Sequence, residues 1–239
     1  MKTRISLIAV AATWIIWSLA LQPVWPQEQG GGDQQQRIAE LKQSLAANQA
    51  KLKMYQWTAI TQIAVKGETK KEEQQLCRYG PDGKVVKTPI GPPPAQKEPP
   101  RGIKGKIVEK KTGEMQDYME RLKSLISNYA PPDPQKLQAA KQAGNANLNL
   151  SAGQAVLTFH DYYKPGDAVS FAFDTATKRL RNYDVNTYLD DPKNDIVTLT
   201  NQFASLPDGT NYIQQTVLDS KSKQIQITTT NTNYGPASQ

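Results

Sequence analysis

The sequence predicts an α+β fold: a curved antiparallel sheet or half-open β-barrel of about nine strands, with helices packed on its concave face. Three observations predict it. Over roughly the last hundred residues, apolar positions recur at period two between turn signals. Residues 112–130 carry apolar positions at helical spacing instead. An earlier stretch, 55–90, alternates like a meander of three strands. Each element therefore has one greasy face and needs a second layer to cover it.

Residues 1–20, MKTRISLIAVAATWIIWSLA, open with Lys2 and Arg4 and continue as an apolar run from Ile5. Ser18 and Ala20 supply the small residues that a signal peptidase requires, so the segment reads as a cleaved signal peptide. The alternative is an uncleaved inner-membrane anchor, with Trp14, Trp17 and Trp25 suited to the interface. Both readings put the folded part in the periplasm or otherwise outside the cytoplasm. Cys77 is the only cysteine, so no internal disulfide is available.

Residues 21–36 are rich in Gln, Gly and Pro and read as a tether. A single domain is expected over 37–234, interrupted by a Pro-rich linker at 91–102 and followed by a tail at 235–239. Ile38, Leu41, Leu45 and Leu52 mark a helix that runs into the first strand. In that strand Tyr55, Trp57, Ala59, Ile63 and Val65 share one face. Gly80-Pro81-Asp82-Gly83 is a strong turn before a third strand ending near Ile90. The clearest helix follows the linker, with Met115, Tyr118, Met119, Leu122, Leu125, Ile126 and Tyr129 on one stripe. Pro131-Pro132 must end it, and Asp133-Pro134 fits the cap and first position of a short helix to about Ala143. Strands are then expected near 153–162, 168–173, 178–188, 195–204, 211–218 and 223–232. Phe159, Phe171 and Phe173 lie on their apolar faces. The 112–130 helix is the expected cover for the strand at 55–66.

Catalytic patterns do not emerge. His160 is the only histidine, and Asp161 beside it falls on the opposite face of a strand. One histidine and one cysteine do not make a zinc or copper ligand set. Asp190, Asp191, Asn194 and Asp195 lack the spacing and glycine of a calcium loop and read as a turn. There is no phosphate-binding or dinucleotide glycine motif. The chain is read as non-enzymatic, without metal or other cofactor.

Its 239 residues carry a net charge of +7, and mean hydropathy is −0.62. No arginine-rich or aromatic-basic motif points to nucleic acid. The basic run that includes Lys104, Lys106, Lys110 and Lys111 suits anionic head groups or an acidic envelope protein, or is simply solvated.

The stretches YQWTAITQIAVKGE, RYGPDGKVVKTPIGPPP, NYAPPDPQKLQAA and FASLPDGTNY resemble a family of exported bacterial proteins of unknown function, over most of residues 50–234. The order of elements is similar to the LolA/LolB-type lipoprotein-carrier fold. That resemblance implies an incomplete antiparallel barrel lidded by helices, and carriage of acyl chains. It covers architecture only, and no signature residue of the carriers is transferred. The expected function is binding of a lipid, acyl chain or lipoprotein between sheet and lid. Tyr55, Trp57, Ile63, Val65, Phe159, Phe171 and Phe173 would line the sheet side, and Met115, Tyr118, Met119 and Leu122 the lid. One alternative is an envelope interaction module with a filled core and no ligand, and another is a hydrolase built on an unrecognised carboxylate pair. A monomer is expected, with a membrane surface or envelope protein as the other candidate partner.

Overall fold

A computed structural model describes residues 47–91 and 103–237, without the side chains of 103–109 and 111. The leader, the tether, the first part of the N-terminal helix and the Pro-rich linker from 92 lie outside the described residues. A helical turn at 47–52 leads into β1 (Tyr55–Val65), β2 (Glu68–Tyr79) and β3 (Val85–Pro89). Two helices follow, α1 (Ile103–Ile126) and α2 (Pro134–Gln142). The rest is strand: β4 (Ala146–Ser151), β5 (Gln154–His160), β6 (Ala168–Asp174), β7 (Leu180–Tyr188), β8 (Ile196–Ser205), β9 (Asn211–Ser220) and β10 (Ile225–Pro236).

All ten strands join one open antiparallel sheet in the order β3-β2-β1-β10-β9-β8-β7-β6-β5-β4. Short connections make neighbours of consecutive strands within β1–β3 and within β4–β10, while β3 and β4, with the two helices between them, form the opposite edges. In the β1–β2 hairpin Lys66 (φ 55°) and Gly67 (φ 78°) both adopt left-handed backbone, the two-residue turn whose twist matches the strands. The one long-range pairing is β1 with β10, from Tyr55 opposite Pro236 to Val65 opposite Ile225. Register shifts in the β1–β10, β1–β2, β6–β7 and β8–β9 ladders bend the sheet into a curve.

Ten strands replace the nine expected, and the additional one is β4. Its sequence, ANLNLS, alternates Ala146, Leu148 and Leu150 with polar residues but has no β-branched or aromatic side chain. Pairing to β5 along its whole length makes it a strand.

One buried cluster joins Tyr118, Leu122, Leu125, Ile126 and Tyr129 to Phe159, Val169, Phe171, Tyr183, Val185 and Leu199 of the sheet. Its position is set by a buried carboxylate. Asp167 accepts from the backbone N–H groups of Tyr162 (2.6 Å), Tyr163 (3.1 Å) and Lys164 (2.9 Å). It also accepts from the Tyr129 hydroxyl at 2.6 Å. A phenol has one proton, so Thr187 at 2.7 Å must donate to the Tyr129 oxygen. The Tyr183 hydroxyl donates to the Tyr129 carbonyl at 2.7 Å. The turn after α1 is thereby tied to β7 and to the β5–β6 loop. On the far side of the same turn, Asp133 caps α2 by accepting from Gln135 N–H at 2.8 Å.

Burial holds the Tyr129, Tyr183, Tyr79 and Tyr234 phenols above their ordinary value and pushes Tyr162 up to about 12. A phenol that stays protonated in the fold but ionises near 10 when unfolded stabilises fully below about pH 10 and loses that contribution above it. The urea midpoint should therefore be level up to about pH 9.5 and fall above about 10, with phenolate absorbance rising together with loss of structure. Tyr129→Phe, which removes one donor from Asp167, should cost about 1–3 kcal/mol in urea unfolding at neutral pH.

Candidate functional site: the inner face of the sheet

The alternating buried positions of the strands define an inner face, and the ladders align them in rows across the sheet. The first row runs Val65, Ile225, Ser220, Val197 and Thr187. The second runs Ile63, Ile227, Leu218, Leu199, Val185, Val169 and Phe159, apolar throughout. The third differs in kind. It starts at Glu73 and passes through Thr61, Thr229, Thr216 and Asn201 before turning apolar at Tyr183, Phe171 and Leu157.

The cluster around the α1 side chains takes in the first two rows and the apolar end of the third, Tyr183, Phe171 and Leu157. The Tyr118 hydroxyl is hydrogen-bonded to Ser220, and to Ser222 at 3.2 Å, while Tyr129 reaches Thr187. Of the residues expected to face a ligand, Tyr118 and Leu122 are buried among sheet side chains, and so are Phe159 and Phe171. Met115, Met119, Ile63, Val65 and Phe173 are half-buried at the margin of that cluster. Tyr55 and Trp57 are not part of it.

This corrects the expectation that the helix covers the whole first strand. Only the Ile63 and Val65 end meets the helix cluster. Trp57, Ala59 and Cys77 form a second core with Tyr79, Val85 and Tyr234. The Trp57 ring stacks on Tyr234 at 5.5 Å and 11°, tilts against Tyr79 at 5.5 Å, and donates its N–H to Asn231 Oδ1 at 3.1 Å. Tyr234 in turn meets Tyr212 at 4.3 Å and Tyr55 at 6.4 Å. The register shift between Gln56 and Thr58, with Asn233 at φ 55°, turns Tyr234 toward the tryptophan. Burial pushes the Cys77 thiol up and the Lys87 ammonium down.

Between the two cores lies the polar third row. Thr61 and Thr229 share a hydrogen bond at 3.0 Å, and Thr216 donates to Asn201 Oδ1 at 2.7 Å. Exposure falls along the row, from 24% for the Glu73 side chain to 9% at Thr216 and 0% at Asn201. Glu73 is ion-paired with Lys71. Asn201 Nδ2 is buried with no hydrogen-bond partner among the described residues. Such an orphaned donor costs about 1–3 kcal/mol, which is why buried amides are nearly always paired. Sequence reasoning missed this row. Each member is an ordinary strand Thr or Asn, and only pairing of segments up to 168 positions apart aligns them.

The remaining candidates are dispersed. His160 is exposed at the end of β5, and Asp161 accepts from Gly166 N–H at 2.7 Å. Asp191 accepts from Lys193 N–H at 2.8 Å and closes its own turn. Among the described residues no three His, Cys, Asp or Glu side chains converge on a metal position, and no helix is long and apolar enough to cross a membrane. Lys110 lies 4.0 Å from Glu114, while the side chains of Lys104, Lys106 and Lys111 are outside the described groups. An open groove of about 630 Å³ occupies the outer face, lined by polar residues such as Gln62, Asp219, Gln226 and Thr228. No family model matches the chain, and no curated protein matches it.

Trp57→Ala should cost about 3–5 kcal/mol in urea unfolding, through loss of a buried ring and its stack. Because Trp57 packs with Cys77, the same variant should let Ellman's reagent label that thiol in the native state, whereas the parent protein reacts only on unfolding.

Proposed function

We propose that this protein is a non-enzymatic binder of an apolar ligand, a lipid or acyl chain, held between the curved sheet and its helical lid in the bacterial envelope. The observation that carries the reading is the unequal covering of the inner face. The helix stripe packs in one cluster with the first two rows and with the β5–β7 end of the third. The face then continues past them, through a polar row, to an aromatic core built around Trp57. Met115 and Met119 stand half-buried at the helix margin, and their unbranched side chains adapt to ligands of different shape.

On this reading α1 and α2 lie over the concave side, and the ligand is sequestered from water rather than transformed. Apolar area removed from water is worth roughly 25 cal/mol per Å², so a single acyl chain brings several kcal/mol before ordering costs. The resemblance to the lipoprotein-carrier architecture and the signal-like leader support the same reading and an envelope location.

A second reading has its own observation. Leu122, Tyr129, Phe171, Tyr183, Val169 and Val197 are completely buried, which is what an interaction module with a filled core shows. The two readings part in one experiment. Full-length protein purified from its own envelope should carry lipid in native mass spectrometry and should take up a fluorescent fatty acid. Absence of both lipid and uptake would overturn the binder and leave the interaction module.

A further inference from the structure

We propose that the row Thr61, Thr229, Thr216 and Asn201 seats the acceptor oxygen of an acyl amphiphile, with Asn201 Nδ2 as the innermost donor. The oxygen is the carboxylate of a free fatty acid or the carbonyl of an acyl ester. The inference rests on the apolar-ligand reading above and specifies which class of apolar chain the site takes.

Four side chains from β1, β10, β9 and β8 carry the argument. With strands about 4.8 Å apart, they span about 14 Å across the sheet. On one side the row is bordered by Ile63, Ile227, Leu218 and Leu199, on the other by Ala59, by Asn231, whose amide is taken up by Trp57 and the Ile213 carbonyl, and by Phe203. A polar band in that setting is expensive unless every hydrogen-bonding group is met. It is not met within the described residues. Thr216 spends its proton on Asn201 Oδ1, so the amide keeps an unused donor in a fully buried position. Two hydroxyls joined by one hydrogen bond, Thr61 and Thr229, leave a second proton for a third group.

The chemistry of the row selects its guest. The vacant group is a donor, so the guest must bring an acceptor, and an amine head would find none at Nδ2. No cation stands in the row. Lys71, on the same face of β2, is bound to Glu73, and Lys87 of β3 lies opposite Cys77 in the second core, so among the described residues no ammonium stands free in the row for a multiply charged head group. A single carbonyl or carboxylate oxygen fits. The falling exposure from Glu73 to Asn201 gives the direction of entry, and the tail then lies against Ala59, Phe203 and the Trp57 core.

Displacement of 1-N-phenylnaphthylamine from the full-length protein by methyl dodecanoate, dodecanoate and dodecane tests this. The two oxygen-bearing chains should bind roughly tenfold more tightly than the alkane. Of the two, the tighter identifies a free acid or an ester as the natural head. Asn201→Leu with Thr216→Val removes both partners in matched shapes, a change close to neutral for folding, and should bind all three chains alike. Equal binding of the three chains by the parent protein would overturn the proposal and assign Nδ2 to a buried water. So would a double variant that keeps the preference. If the double variant does not fold, the parent comparison still decides. Failure of the probe and all three chains to bind would overturn the apolar-ligand reading itself.

Discussion

The structure turns on one buried carboxylate. Asp167 sits in the loop between β5 and β6, where its two oxygens collect three consecutive backbone N–H groups and a phenol. The Tyr162 N–H and the Tyr129 phenol are buried and would otherwise lack a partner, and a carboxylate with that many donors is one of the few charged groups that burial tolerates. The consequence reaches beyond the loop. The phenol belongs to Tyr129, three residues past the end of α1, so the chain leaves the helix at a fixed point over β7. Nearer the middle of the helix, the Tyr118 hydroxyl is bonded to Ser220 of β9.

That anchoring divides the inner face by chemistry. The second row is apolar from β1 to β5, and its members share one buried cluster with Leu122 and Ile126. The next row exchanges isoleucine and leucine for threonine, asparagine and glutamate over half the sheet. The Trp57 core beyond it owes its burial to tyrosines from β2 and β10 rather than to the described helix residues. One sheet therefore presents two apolar fields separated by a band of hydroxyls and amides.

Much of this was legible from local signals. The helix stripe from Met115 to Tyr129, the Asp133-Pro134 cap and the turns at Gly67 and Gly80–Gly83 follow from spacing and from backbone rules that act within a few residues. The strands from β5 to β10 followed from period-two alternation. What stayed hidden depends on distant partners. β4 has weak strand composition and exists because β5 offers it a ladder. The polar row needs four strands in one register, and Thr61 taken alone gives no sign of Thr229. Asp167 follows Pro165-Gly166, and by local rules alone such a position is a turn residue. Its burial is decided by Tyr129, which reads only as another apolar position of the stripe.

The pairing of β1 with β10 also governs the order in which the chain can assemble. The strands from β4 to β9 are joined by short turns and can zip sequentially, each closing a small loop. β1 has no such neighbour on that side until β10, about 170 positions later, is in place. Contacts of that separation form late, because the entropy of closing the intervening chain must be met first. Until then the hairpins β1–β3 carry the bare face of Trp57 and an unpaired strand edge. Such an open edge can pair with another chain until β10 occupies it.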